Sequence, residues 1–226
     1  MKQLIKNSSL VLALTLNLFS IQASAFKDSK MLNTQSAYAW FKAQLANEQL
    51  VAKLKTINLL ILDIDGSLTN GTMEYQADKE GTRYFSILDG YGIKEAMNAG
   101  LTVAFLSGKN CASGKKRAQA LGIPEHLCIL GSGDKRPDVQ ALLTQLNNAP
   151  HNTIIYGDDI LDARVKQHIP DIIFVCPSNS PFYIQALSDI ALPLGGGEHA
   201  CRLLLDLILY VQNKHAMQDI ITNLVR

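Results

Sequence analysis

Four short apolar runs in this 226-residue chain end on polar groups that suit ion and anion chemistry. Leu59–Leu62 runs into Asp63-Ile64-Asp65-Gly66-Ser67-Leu68-Thr69. Thr102–Leu106 runs into Ser107-Gly108-Lys109. Leu127–Leu130 precedes Gly131-Ser132-Gly133-Asp134-Lys135, and Thr153–Tyr156 precedes Gly157-Asp158-Asp159. Carboxylates crowded together repel unless a cation neutralises them, and a few hard oxygen ligands favour Mg2+. Asp63 and Asp158 are the natural pair of side-chain ligands, and a phosphate would add further oxygens. Ser107, Lys135 and the free N–H groups of tight turns such as Gly66 and Gly108 can hold the remaining phosphate oxygens. An aspartate such as Asp63 can attack phosphorus to give an acyl phosphate. Asp65, two residues on, can protonate the leaving oxygen and later deprotonate water. Phosphoryl transfer needs little beyond such positioning and charge stabilisation.

Taken singly, each group has a plainer reading. A D-x-D after a strand can be a turn or metal motif, Ser107-Gly108 a strand-ending turn, Lys135 a solvated lysine, and Gly157-Asp158-Asp159 a helix cap. Their order, at the ends of successive apolar runs, favours the functional reading.

Such residues meet only if the runs are strands of one sheet. Each is short and unbroken, as strands buried on both faces are, and a fifth run follows at Ile172–Val175. Helical patterns lie between them at Ile93–Asn98, Ala112–Leu121, Pro137–Asn147 and Ile160–His168. Gly100 and Gly122 stand where left-handed caps belong, and Pro137 stands near a helix start. The alternation predicts an α/β fold, a doubly wound parallel sheet with helices on both faces. Ligands then bind beyond the carboxyl ends of the strands, where all four groups sit. Thr72–Gln76 and Thr82–Ile87, around a polar loop ending in Gly81, predict a small β-hairpin flap after the first strand. A helix over Ala37–Lys55 carries Trp40, Phe41, Leu45, Val51 and Leu54 on one side. Glu198–Val211 is a last strong helix, and Lys214–Arg226 a weaker helical tail.

Apolar content of 47% and charged content of 18% suit a globular protein. The formal charge of +1, with no Lys/Arg run, points away from nucleic acid. Lys2 and Lys6, an apolar run from Leu10 to Ile21 and Ala23-Ser24-Ala25 read as a cleavable signal peptide, too short in its apolar part to span a bilayer comfortably. The expected division is a signal peptide over 1–25, a helical segment over 26–56, the main domain over 57–213 and the tail over 214–226. The product would be exported, to a periplasm, with no stable membrane span after cleavage; a leader that does not work as a signal peptide would leave it cytoplasmic. Cys111, Cys128, Cys176 and Cys201 lack metal-ligand spacing and read as small buried hydrophobes, with one bridged pair open in an oxidising compartment. The histidines fall outside every motif.

The order DIDGSLT, SGK, a lysine, then GDD resembles the haloacid dehalogenase superfamily. The hairpin with Phe85-Ser86-Ile87-Leu88-Asp89-Gly90-Tyr91-Gly92-Ile93-Lys94, and Gly195-Gly196-Gly197 ahead of the last helix, resemble its capless sugar-acid phosphatases, such as the 3-deoxy-D-manno-octulosonate 8-phosphate phosphatases. That resemblance implies a Rossmann-like core without a cap domain and a Mg2+-dependent phosphomonoesterase acting on a sugar phosphate or sugar-acid phosphate. It implies Asp63 as nucleophile and metal ligand, and Asp65 as acid/base giving its backbone oxygen to the metal. Ser107 and Lys135 would bind phosphate, Asp158 would complete the metal site, and Asp159 would support it from behind. It also implies a homotetramer in which flaps meet and one tail closes a neighbouring site. Leu88, Lys109 and Glu198-His199 stand where these enzymes tend to carry arginine. Neutral sugar phosphates are therefore expected to be turned over at least as well as the sugar acid. Two other readings on the same strand-end chemistry are a phospho-accepting receiver domain and a non-catalytic phosphate-binding protein. A receiver would place paired acids at the first strand and its acceptor at the third, and it has no hairpin.

Overall fold

The computed structural model describes residues 35–75, 77 and 81–225. The signal-peptide expectation over residues 1–25 lies outside the described residues. The chain divides into a unit ending at Ala39 and a unit from Trp40 to Arg226. Residues 35–39 of the first are helical, and the second opens with helical residues 40–46 (α1) and α2 (Glu48–Leu54). The apolar stripe predicts one unbroken helix here. The break falls at Asn47, whose side chain accepts the Leu50 N–H at 3.1 Å and starts α2 afresh. Asparagine is among the strongest N-caps, and an apolar periodicity running through it does not register the interruption.

Six parallel strands form one sheet: β1 (Leu59–Leu62), β2 (Thr102–Ser107), β3 (Cys128–Leu130), β4 (Thr153–Tyr156), β5 (Ile173–Cys176) and β6 (Ile190–Ala191). Their order is β3-β2-β1-β4-β5-β6. Every residue of β1, β4 and β5 is buried, which explains their unbroken apolar character. Burying each such Leu or Ile contributes roughly 1.5–3 kcal/mol. β1 sits between β2 and β4, with Leu60 opposite Val103 on one side and Ile154 on the other. The strand order reverses at β1, so the crevice beyond its carboxyl end is where this topology places a ligand. The expected doubly wound α/β fold is the observed one.

The helices are α3 (Ile87–Asn98), α4 (Ala112–Leu121), α5 (Lys135–Gln145), α6 (Ile160–His168), α7 (Phe182–Leu187), α8 (Ala200–Val211) and α9 (Gln218–Val225). α3 packs on α8 and α4, while α5 packs on α6 and α6 on α7. Gly100 and Gly122 take the left-handed conformation expected of them, with φ of +91° and +87°. α3 begins six residues before the expected Ile93, because Ser86 caps it by accepting the Asp89 N–H at 3.1 Å. Asp89 is buried and accepts the Arg202 N–H at 2.8 Å, so the Asp89-Gly90 pair ties α3 to the first turn of α8. α7 and β6 had no sequence signal. One is a six-residue helix behind Pro181, the other a two-residue strand, and neither is long enough to show a period.

The expected hairpin is much reduced. Among the described residues the flap holds a single antiparallel bridge, Glu74 to Thr82, and the run expected to continue as strand to Ile87 turns into α3 instead. Among the described residues no cap domain is inserted, no disulfide forms, and no helix is long and apolar enough to cross a membrane. The tail helix α9 lies against the core of its own chain: Ile221 and Val225 pack on the core, and Thr222 Oγ1 is 3.2 Å from the Tyr210 hydroxyl.

Candidate active site

Asp63 directly follows β1, and its N–H still bonds the Tyr156 carbonyl at 2.9 Å, so the nucleophile candidate is held by the sheet itself. The chain then turns sharply. Leu68 and Thr69 N–H groups both donate to the Ile64 carbonyl at 3.0 Å, and the Gly66 N–H donates to Thr69 Oγ1 at 3.2 Å. Gly66 has φ +90°, and a Cβ there would stand 2.0 Å from Asp158 Oδ2. Both the backbone and the neighbouring acid therefore require glycine. A second layer grips this loop. Asn179 donates to the Gly66 carbonyl at 3.0 Å and accepts the Gly196 N–H at 2.6 Å, while the Gly197 N–H donates to the Ser67 carbonyl at 3.1 Å. A Cβ on Gly196 would lie 2.0 Å from the Gly66 carbonyl oxygen, so the glycine run is what lets the two loops touch.

Beyond the strand ends lies an open cavity of about 230 Å³. Asp63, Asp65, Ser107, Gly108, Lys135, Asp158 and Asp159 line it, as the spacing predicts, together with Lys109, Leu161 and Asp162. Gly66 is the one expected site residue that does not line it, its N–H being engaged inside the loop. Asp159 is exposed and caps α6 by accepting the Ile160 N–H at 2.7 Å. The deeper acid is Asp162, which the sequence left as an ordinary helical residue. A Gly-Asp-Asp followed one helical turn later by Asp162 was the available signal, since i and i+3 or i+4 share a face.

Lys135 is no solvated lysine. It opens α5 with a side chain only 2% exposed, and its Nζ donates to Asp63 Oδ1 at 2.6 Å and to Asp162 Oδ1 at 2.7 Å. Burial alone pulls its pKa down, but the charges of Asp162 and Asp63 outweigh that and hold it above the ordinary lysine value. One ammonium among three carboxylates leaves an excess of negative charge. Asp158 carries the consequence: burial first, then the charges of Asp63 and Asp162, push its pKa up to about 8, against a partly offsetting hydrogen bond from Ser67 Oγ at 3.2 Å. Asp63, Asp158 and Asp162 each offer one oxygen within 4.8 Å of the others. A set of hard oxygens carrying uncompensated charge fits a divalent cation. On the far side, Ser107 is buried, with its Oγ accepting the Lys109 N–H at 3.2 Å.

Asp65, also in the lining, is paired with Arg83 from the flap, at 2.6 Å. Arg83 gave no sequence signal as a site residue, because its place depends on how the flap folds over β1. His199 lies outside the cavity lining, with Nδ1 2.9 Å from Ser86 Oγ.

No family model matches the chain. It is 34% identical over 167 residues to the 3-deoxy-D-manno-octulosonate 8-phosphate phosphatase KdsC of Haemophilus influenzae, covering 74% of this chain and 91% of that one. The chain belongs to this phosphatase family, within the haloacid dehalogenase superfamily. The KdsC of Escherichia coli strain K12 is 33% identical over 165 residues, covering 73% of this chain and 86% of its own. Among solved structures, the enzyme of Moraxella catarrhalis in complex with magnesium, phosphate and KDO aligns with a TM-score of 0.70 at 26% identity, over 80% of this chain and 99% of that one. The cobalt-bound H. influenzae phosphatase aligns with a TM-score of 0.69 at 32% identity, over 77% of this chain and 99% of that one. Membership makes this protein a phosphatase and sets aside the receiver-like and non-catalytic readings. The acidic cluster here, beside relatives crystallised with magnesium or cobalt, makes it a divalent-metal site.

Proposed function

We propose that this phosphatase hydrolyses a small phosphorylated sugar or sugar acid through an aspartyl phosphate on Asp63. The observation that carries this reading is the convergence, on one cavity, of an Asp63 oxygen held by buried Lys135 with Asp65 two residues along the same loop. Lys135 fixes the Asp63 carboxylate and leaves its second oxygen to attack phosphorus. As the new phosphorus–oxygen bond forms, the bond to the leaving oxygen breaks, and that oxygen takes the proton of Asp65. Asp65 then takes a proton from water, whose oxygen bonds phosphorus as the bond to Asp63 breaks, releasing phosphate. Ser107, the Gly108 turn and Lys135 hold the phosphate oxygens through both steps. Mg2+ is the cofactor of this reading: the Asp63 and Asp158 carboxylates and the Asp65 carbonyl oxygen would hold it, and it would supply charge neutralisation on the phosphoryl oxygens.

The substrate class follows the relatives, whose names specify 3-deoxy-D-manno-octulosonate 8-phosphate. Of exposed Leu88, Lys109 and Glu198, Lys109 alone lines the cavity, and none of the three offers a guanidinium fork for a substrate carboxylate. This supports turnover of neutral sugar phosphates alongside the acid. Exposed Tyr75, Tyr84, Ile87, Leu88 and Tyr91 on and beside the flap support a homo-oligomer, a tetramer, joined through the flaps. Lys2, Lys6 and Ala23-Ser24-Ala25 support export of the mature chain.

The test is phosphate release from sugar phosphates and from 3-deoxy-D-manno-octulosonate 8-phosphate, with Mg2+ or chelator. Wild type should turn over in Mg2+ only, and Asp63→Asn should be inactive yet folded. Full activity of Asp63→Asn would sink the mechanism.

A further inference from the structure

The Asp65 carboxylate is held by a fork. Arg83 Nε donates to Oδ1 at 2.6 Å and Arg83 Nη2 to Oδ2 at 3.2 Å. The Arg83 side chain is only 2% exposed, while that of Asp65 is 26% exposed. The third guanidinium nitrogen, Nη1, donates to Ser113 Oγ on α4 at 3.2 Å and to the Gly81 carbonyl in the flap at 3.4 Å. One planar group thus joins the flap, α4 and the catalytic loop at the residue that must move protons.

We propose that Arg83 is the positioning residue for proton transfer by Asp65, so that the flap sets the orientation of the acid/base. This rests on the role given to Asp65 above. Two parallel hydrogen bonds fix the plane of a carboxylate, which a single bond does not. Each oxygen keeps a second lone pair, so the fork leaves room for a proton or a water. Arginine does not release its own proton, so it orients the acid/base without competing in the transfer. In the first half-reaction the proton goes from Asp65 to the leaving oxygen, in the second from water to Asp65, and Arg83 gains and loses none. A displacement of about 1 Å at a reacting group can cost about a hundredfold in rate, which is the scale at stake.

Arg83→Lys keeps the charge and removes the fork, and Arg83→Gln removes both. The full chain and its variants are assayed on an alkyl phosphate, glucose 6-phosphate or 3-deoxy-D-manno-octulosonate 8-phosphate, and on p-nitrophenyl phosphate, whose leaving group departs without a proton. For Arg83→Lys, kcat/KM on the alkyl phosphate should fall about 10- to 100-fold with KM little changed, and on the aryl phosphate less than about 3-fold. In an Asp65→Asn background the same change should cost nothing further. Arg83→Gln should show the same pattern; if it unfolds, Arg83→Lys alone decides. Equal losses on both substrates, no loss on either, or full additivity with Asp65→Asn would overturn the proposal. If Asp65→Asn discriminates between the two substrates and Arg83→Lys does not, only the role of Arg83 fails. If Asp65→Asn does not discriminate, the acid/base assignment fails and takes this inference with it.

Discussion

In the metal-free protein, Asp158 should make stability fall as pH rises. Its folded-state pKa is raised from 3.8 to about 8, by burial and by the charges of Asp63 and Asp162. The folded chain therefore holds a proton that the unfolded chain has lost through the window between those values. A group of this kind contributes stability that is fully present below its unfolded pKa and is lost as pH rises through the folded one. Within the window each pH unit costs at most about 1.4 kcal/mol. From about pH 5 to pH 7 the fall is on the order of 2 kcal/mol, allowing for screening in an open cavity. Asp158→Asn keeps an acceptor for Ser67 Oγ and removes the titration. The assay is urea unfolding in chelator at several pH values, with wild type and Asp158→Asn compared so that groups away from the Asp63, Asp158 and Asp162 cluster cancel; Asp162, its own pKa raised to about 7, titrates with Asp158, and the difference reports the pair. The wild-type slope should exceed that of the variant by the stated amount. Added Mg2+ at about 100 times its Kd should restore about 2.7 kcal/mol to wild type at neutral pH and much less to the variant. Equal pH slopes for the two proteins, or equal stabilisation by Mg2+, would refute the account of Asp158 as an acid held protonated by the excess charge around it.

Lys135→Met should cost about 3–5 kcal/mol in denaturant unfolding, because it leaves Asp63 and Asp162 buried without their cation; an unchanged midpoint would mean that the pair contributes nothing. Gly66→Ala places a methyl group 2.0 Å from Asp158 Oδ2 at a left-handed φ, so Mg2+ affinity measured by calorimetry should fall at least about tenfold. Asp65→Asn should slow turnover of an alkyl phosphate by about two orders of magnitude, and a near-wild-type rate would remove its assigned role. Mass spectrometry of the native protein should find Phe26 as the first residue, and residues 1–25 found intact in the cytoplasm would refute export.

Much of the site was legible because parallel strands buried on both faces announce themselves as unbroken apolar runs, and the topology then fixes which residues share a rim. That reasoning placed Asp63, Asp65, Ser107, Gly108, Lys135, Asp158 and Asp159 at one cavity. It also gave the ends of β4, α4 and α6 to the residue, where a cap or a clear change of period marks the boundary. It ran through the break at Asn47 and extended the hairpin past Ser86, because in both places one capping side chain outweighs the local pattern.

What the sequence by itself determined was the α/β order of the chain, the identity of the rim and the kind of chemistry its residue types allow. Only the tertiary structure decided which acids share Lys135, where Arg83 goes and why three glycines stand before the last long helix. Those are relations between atoms far apart in the chain: Lys135 with Asp63, Arg83 with Asp65, Gly196 with Gly66. Their energy comes from burial and from the distance between charges, and neither quantity exists until the sheet has closed around them.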